Sequence, residues 1–208
     1  MSQRYTVFLN DRVVTICQDI KTASVPKNIT LDFTDKTTLI QAYKNFYDDS
    51  EYMNLIIKTG ENFEEACLAF NSMFRRIEAA GGIVRNPKQE YLFIKRLGKW
   101  DLPKGKLYKT EPKQDGALRE VMEETGLTSL AITKQLSSTF HIYTDRKENE
   151  VLKETFWFEM MCKEDQNLTP QLEEDITEVR WFSSEDIDIP VQNTYASLRY
   201  LLESYFQL

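Results

Sequence analysis

The sequence contains one histidine, three cysteines, six prolines and seven glycines in 208 residues. Cys17, Cys67 and Cys162 are odd in number, far apart and set among apolar neighbours, with no CxxC spacing. That pattern excludes a disulfide framework and a Cys/His zinc site. It leaves free thiols suited to a reducing, cytoplasmic compartment. No apolar run approaches the roughly 18 residues of a membrane span. The opening, MSQRYTVFLNDR, lacks the apolar stretch and cleavage site of a secretory signal. The single histidine, His141, lies between Phe140 and Ile142 in a strand-like run and reads as a packed or rim residue. No other site furnishes a catalytic triad, and no Walker A loop occurs.

Apolar residues at 41% and aromatics at 12% are enough to build a core. The net charge of −7 is unevenly spread. Residues 85–120 carry 10 basic and 5 acidic side chains, whereas residues 121–208 carry 7 basic and 17 acidic. A basic segment abutting an acidic one fits an anionic substrate held beside a metal site. A solvated charged surface explains either half alone equally well. The acidic balance argues against a general nucleic-acid binder.

The first third reads as a small α/β unit. RYTVFL and RVVTIC are short strands joined by turn residues Asn10-Asp11, and ITLDF is a candidate third strand. Leu39, Ile40, Tyr43, Phe46 and Tyr47 recur at helical spacing behind a candidate N-cap, Asp35. MNLIIK reads as a buried strand. Asn62 is placed to cap a second helix, whose stripe would run Phe63, Ala66, Cys67, Phe70, Met73, Phe74 and Ile77. The boundary is expected near residues 75–79, giving an N-terminal unit, 1–76, and a larger domain, 77–208.

At AAGGIV the pattern changes, and six of the seven glycines lie between 81 and 126. Gly81-Gly82 suits close backbone approach at a strand start. EYLFIKR reads as a strand and LGKWDLPKGK as a loop. SLAITKQLSSTFHIYTD and EVLKETFWFEMMC read as two long strands joined as a hairpin through the polar TDRKENE segment. EVRWF is another strand. Asn193 is a candidate start for a last helix with Leu198, Leu201, Leu202, Tyr205 and Phe206 on one face.

Between loop and hairpin lies REVMEE, Arg119 to Glu124. Glu120, Glu123 and Glu124 stand three and four residues apart, on one face of a helix, where like charges repel by roughly 0.2–0.5 kcal/mol per pair. At about 100° per residue, Ala117, Leu118, Val121 and Met122 share an arc of about 140° that would face a sheet. The three glutamates gather within about 100° on the far side. Pro112 suits the first turn and Gly126 a left-handed cap, which makes a helix of about 13 residues. Magnesium is a hard cation that takes carboxylate, phosphate and water oxygens. A bound ion would offset the repulsion and activate water.

Gly105, Glu111, Arg119, Glu120, Val121, Glu123, Glu124, Gly126 and Leu127 together satisfy G-x5-E-x7-R-E-U-x-E-E-x-G-U, where U is a bulky aliphatic residue. This resembles the signature of the Nudix hydrolases at every specified position. AAGGIVRN resembles that family's first core strand and KWDLPKGK its lead into the box. The resemblance covers about residues 77–185 and leaves the first 75 residues outside it.

The resemblance implies an α/β/α sandwich around a mixed sheet, here preceded by the small α/β unit. It implies a magnesium-dependent hydrolase, with manganese as the alternative ion. Water attacks a phosphorus of a nucleoside diphosphate linked to another group, X. By the family pattern, Glu120 and Glu124 are metal ligands and Glu123 is a further ligand or the general base. The backbone carbonyl of Lys104 joins the metal shell. Arg119 orients the acids, and Glu111 is its ion-pair partner or a supporting acid. A loop-closing salt bridge without a direct catalytic role accounts for Arg119 and Glu111 equally well. Family members often draw one more acid from a later loop, where Glu173, Glu174 and Asp175 are available and Glu174 is preferred; an acidic surface loop is the rival reading.

Arg96, Lys99, Lys104 and Lys106 surround the loop and could meet substrate phosphates, against the plainer reading of solvated cations. Trp100, Trp157 and Phe158 could stack a base, against core packing. The loop WDLPKGK resembles members acting on dinucleoside polyphosphates, nucleoside triphosphates or capped RNA ends, and a small nucleotide substrate is expected. The alternative is a Nudix-fold sensor that binds a nucleotide without cleaving it. Such sensors often lose the box, which is complete here. No basic recognition helix follows residue 185. The N-terminal unit could cover the site, build a homodimer, extend the core or dock another protein.

Overall fold

The computed structural model describes residues 3–19, 27–163 and 167–208. The chain forms a mixed α/β fold built on mixed sheet. The elements in chain order are β1 (Arg4–Leu9), β2 (Arg12–Cys17), β3 (Asn28–Asp32), α1 (Lys36–Asp48), β4 (Asn54–Lys58) and α2 (Phe63–Asn71). There follow β5 (Arg75–Arg85), β6 (Tyr91–Arg96), β7 (Lys99–Asp101), β8 (Lys104–Lys106), α3 (Lys113–Thr125), β9 (Leu130–Gln135) and β10 (Thr139–Thr144). The last are β11 (Glu150–Cys162), β12 (Ile176–Phe182), α4 (Asp188–Gln192) and α5 (Ala196–Phe206). Two compact units result, one of residues 1–76 with 140–153 and one of residues 77–139 with 154–208.

In the first unit the strand order is β10-β1-β2-β4-β3. The β1–β2 hairpin turns at Asn10, whose φ is +55°. Val7, Val14, Ile16, Leu55 and Ile57 from these strands bury against Leu39, Tyr43 and Phe46 of α1 and Ala66 and Phe70 of α2. Asp35 caps α1 as its position suggested, its Oδ1 accepting the Thr38 N–H at 2.9 Å. Asn62 precedes α2 but makes no side-chain capping bond. The apolar stripe predicted one helix as far as Ile77, whereas α2 stops at Asn71. The Ser72 hydroxyl donates back to the Ala69 carbonyl at 2.7 Å, and the Met73 N–H donates to Phe70 O at 3.1 Å. That tight turn throws Ile77 into strand β5.

Residues 140–153 group with this first unit rather than with the domain that contains them in sequence. The reason is pairing: β10 runs parallel to β1, with Val7 opposite Phe140 and Leu9 opposite Ile142. The hairpin from β10 into β11 is closed by Asp145, whose Oδ1 accepts the N–H groups of Lys147 and Asn149. The run SLAITKQLSSTFHIYTD is therefore two strands with different partners, β9 lying antiparallel to β11 and β10 parallel to β1.

The second unit places β12-β6-β5-β11 side by side, and its strands bury both faces. Alternate residues sort cleanly, as a two-residue period requires. Ala80, Val84, Leu92, Phe156 and Phe158 meet Ala117 and Val121 of α3. Ile83, Phe93 and Trp157 meet Ile187, Val191, Leu198, Leu201 and Leu202 near and within α4 and α5. Helices on two faces of a sheet make the α/β/α sandwich. Asn193 does not start the last helix; it follows α4, and α5 begins at Ala196 after Tyr195. Its side chain instead donates to Gly98 O at 3.3 Å, tying the β6–β7 turn.

The segment LGKWDLPKGK is more ordered than a loop. It holds β7, paired to β6, and β8, paired to β5. Gly81 makes the second pairing possible, since a Cβ there would collide with Pro103 O and the Lys104 Cβ. Because backbone is among the obstacles, Gly81→Ala is expected to cost about 3 kcal/mol, read as a lower urea midpoint with an unchanged slope. None of the three cysteines is in a disulfide; Cys17 and Cys162 are buried, and Cys67 is half-buried. Among the described residues no helix is long and apolar enough to cross a membrane.

Candidate functional site

The site forms where α3 lies under the β7–β8 segment. The helix spans 13 residues. Pro112 stands immediately before it, and the Gly126 N–H closes its last turn on Met122 O. One expectation about its faces is overturned. Met122, assigned to the packed face, is exposed, whereas Glu120 and Glu124 are 7% and 0% exposed. The wheel orders side chains around the axis and says nothing about what covers them. Here β8 covers the acidic face so closely that a Cβ on Gly105 would overlap the Glu120 carboxylate. Glu123 alone of the three is exposed.

Each carboxylate has a distinct environment. Glu124 Oε2 accepts the Lys104 backbone N–H at 2.8 Å. Its other oxygen, Oε1, is buried with no hydrogen-bond partner. Desolvation raises the Glu124 pKa to about 7, opposed by the Lys104 charge and N–H. Burial likewise raises the Glu120 pKa, against the pull of Arg119. Arg119 is the hub of the cluster. Its Nε and Nη2 grip Glu111 at 2.7 and 2.8 Å, while Nη1 reaches Glu120 at 2.7 Å and Glu123 at 3.0 Å. Nη2 also donates to the Lys106 carbonyl at 3.2 Å. The Tyr108 ring lies 4.2 Å from the guanidinium carbon, a contact the sequence did not suggest. The fork from Arg119 lowers the Glu111 pKa to about 2.

The later acids separate. Glu174 sits in a single 3-10 turn, Leu172–Glu174, with Oε2 3.6 Å from Arg96 Nη1. It is close enough to disfavour ionisation of both Glu120 and Glu124. Glu173 and Asp175 are exposed, and Asp175 takes the left-handed position that ends the turn. Among the cations, Lys104 is the most enclosed, with Nζ 2.5 Å from Asp101 Oδ2. Lys106 is exposed, and Lys99 lies over the Tyr195 ring. His141 belongs to the other compact unit, stacked obliquely on Tyr143.

The three candidate base-stacking residues are core. Trp100 packs edge-on to Phe182, the Trp157 Nε1–H donates to Thr139 Oγ1, and Phe158 is buried beneath α3. Asp101 escaped the sequence reading altogether. It is 5% exposed, and its Oδ1 accepts the Leu102 N–H at 2.8 Å. The available signal was an acid three residues before Lys104, across a proline that holds Leu102 extended.

Among the described residues no three acid, histidine or cysteine side chains form a ready-made metal cage. Magnesium does not need one, since it commonly uses one or two carboxylates and completes its shell with phosphate and water. The donors fit that demand: two buried carboxylates on one helix, one of them with an oxygen lacking any partner.

Comparison with known proteins bears on the family of the chain. The family model for the NUDIX domain matches residues 75–204. The m7GpppN-mRNA hydrolase dcap-2 of Caenorhabditis elegans is 24% identical over 169 residues, covering 76% of this chain and 20% of that protein. The chain thus spans about a fifth of the length of this curated relative. The crystal structure of the MutT protein from Methanosarcina mazei Go1 superposes with a TM-score of 0.50 at 26% identity, covering 64% of this chain and 95% of the other. An Ap4A hydrolase of C. elegans gives 0.47 at 21% identity, covering 62% of this chain and 94% of that one. With the domain model spanning more than half of its residues and the complete box on α3 and its leading loop, the chain belongs to the Nudix hydrolase family.

Proposed function

We propose that this protein hydrolyses a phosphoric anhydride bond in a nucleoside diphosphate linked to another group, with magnesium or manganese as its cofactor. The observation that carries the reading is Glu124: a carboxylate shut away from water, with one oxygen unpartnered, on the helix that also buries Glu120. A buried acid left half-satisfied is costly unless something else completes it. A divalent cation would supply that counter-charge, neutralise the pyrophosphate and lower the pKa of an attacking water.

The chain's own groups divide the remaining work. Glu120 and Glu124 would hold the cation, with the Lys104 backbone carbonyl as a further ligand by the family pattern. Arg119 holds Glu120 and Glu123 in fixed directions through its fork on Glu111. Glu123 is the exposed member of the set and the one suited to accept a proton from water; Glu174 is the second candidate. Arg96 and Lys106 stand as cations for the substrate's phosphates. A small nucleotide derivative is the expected substrate. Three cysteines outside any disulfide suit a reducing cytoplasm.

The test is a panel of nucleoside triphosphates, dinucleoside polyphosphates, sugar nucleotides and a capped RNA, each with Mg2+ or Mn2+. At least one should be turned over and should yield a nucleoside monophosphate or a nucleoside diphosphate. Binding without turnover across the panel would instead mark a nucleotide sensor.

A further inference from the structure

Lys104 is bonded at both ends. Its backbone N–H reaches Glu124 Oε2 at 2.8 Å and its ammonium reaches Asp101 Oδ2 at 2.5 Å. The Lys104 side chain is 15% exposed and that of Asp101 7%. Asp101 is itself anchored, because its second oxygen accepts the Leu102 N–H. One face of Glu124 is therefore met by an amide, while the lysine's full charge is held on a different carboxylate. Glu124 Oε1 has no partner in this arrangement, although the lysine charge is near enough to be felt by Glu124.

We propose that Asp101 is a positioning residue that holds the Lys104 ammonium away from the open oxygen of Glu124, keeping that oxygen free for a divalent cation. The inference rests on the reading of Glu124 as a cation ligand. Two positive charges compete for one buried carboxylate. The lysine is built into the chain and so has a high effective concentration. A fixed lysine at Glu124 Oε1 would exclude the metal by charge and by space. The aspartate resolves the competition by offering the ammonium a better-placed partner three residues away. The short extended link Leu102-Pro103 fixes the distance between them. This gives the acid in WDLPKGK a purpose separate from the box itself, and it assigns that purpose to a side chain that touches neither substrate nor metal.

The experiment measures binding of Mn2+ alone by electron paramagnetic resonance, with no nucleotide present. Wild type should bind, and Glu124→Gln should lose that binding. Asp101→Asn keeps the shape and the acceptor for Leu102 while removing the charge. It should weaken Mn2+ binding about tenfold, because the released ammonium turns to Glu124. Asp101→Asn combined with Lys104→Met should regain most of the affinity, since the methionine keeps the backbone N–H to Glu124 but carries no charge. Should Asp101→Asn not fold, Asp101→Ser carries the same two expectations.

Unchanged affinity in the Asp101 variant overturns the proposal. So does a weakened affinity that Lys104→Met fails to restore, which would mean that Asp101 only shapes the loop. Wild type that binds no Mn2+ overturns the cation-site reading itself, a result distinguishable from either of these.

Discussion

Glu124→Gln is expected to lower turnover by about a thousandfold or more, and at the same time to make the metal-free protein more stable at pH 8. The two effects have one cause. Glu124 is fully buried, and desolvation raises its pKa from 4.5 to about 7. In the unfolded chain it ionises at its ordinary pKa. Between those values the folded state holds a proton that the unfolded state has released. Stability is therefore highest below about pH 4.5 as far as this group is concerned, and it is lost as the pH rises to about 7. Above that the folded, metal-free protein carries a buried charge at a cost on the order of 3 kcal/mol. Glutamine removes the charge and the cost together, so its urea midpoint at pH 8 should exceed that of wild type. Millimolar Mg2+ should close the gap by stabilising wild type alone. A glutamine variant less stable than wild type in EDTA at pH 8 would show that the carboxylate is a structural asset and not a charge awaiting a cation.

The Nudix box was legible because its information is local. Spacings of three and four residues put carboxylates on one helix face, and Gly126 ends the helix wherever the chain goes next. What the acidic face meets depends on tertiary structure. Gly105 pairs with Ala80 and thereby lays β8 over Glu120, which no helical periodicity encodes. The same limit explains Met122, which the wheel sends inward and the fold leaves exposed. It also explains the run from Ser129 to Asp145, uniformly strand-like in composition, whose two halves have different partner strands. Asp101 was missed for another reason. Its role comes from a single pair across a proline, and one pair has no period to detect. Trp100, Trp157 and Phe158 illustrate the plainest rule, that large aromatic side chains near a site are more often its foundation than its surface.

Arg119→Lys should reduce turnover by roughly a hundredfold without removing a charge. The guanidinium makes four separate contacts to three carboxylates: a two-pronged grip on Glu111 and one bond each to Glu120 and Glu123. A planar fork can do this because its donors point in different directions; an ammonium is a single point from which those carboxylates cannot all be reached. With lysine in place, Glu120 and Glu123 lose their fixed orientation while remaining charged. The loss should appear in kcat more than in KM. The stability effect should depend on pH in the direction opposite to that of Glu124. Arg119 holds the Glu111 pKa down at about 2 in the folded protein, so the stabilisation is present above the ordinary glutamate pKa and disappears as pH falls towards 2. Urea unfolding should separate wild type from Arg119→Lys clearly at pH 7, and the separation should shrink by pH 3. A gap that stays constant over that range would place the loss in packing against Tyr108 rather than in the fork on Glu111.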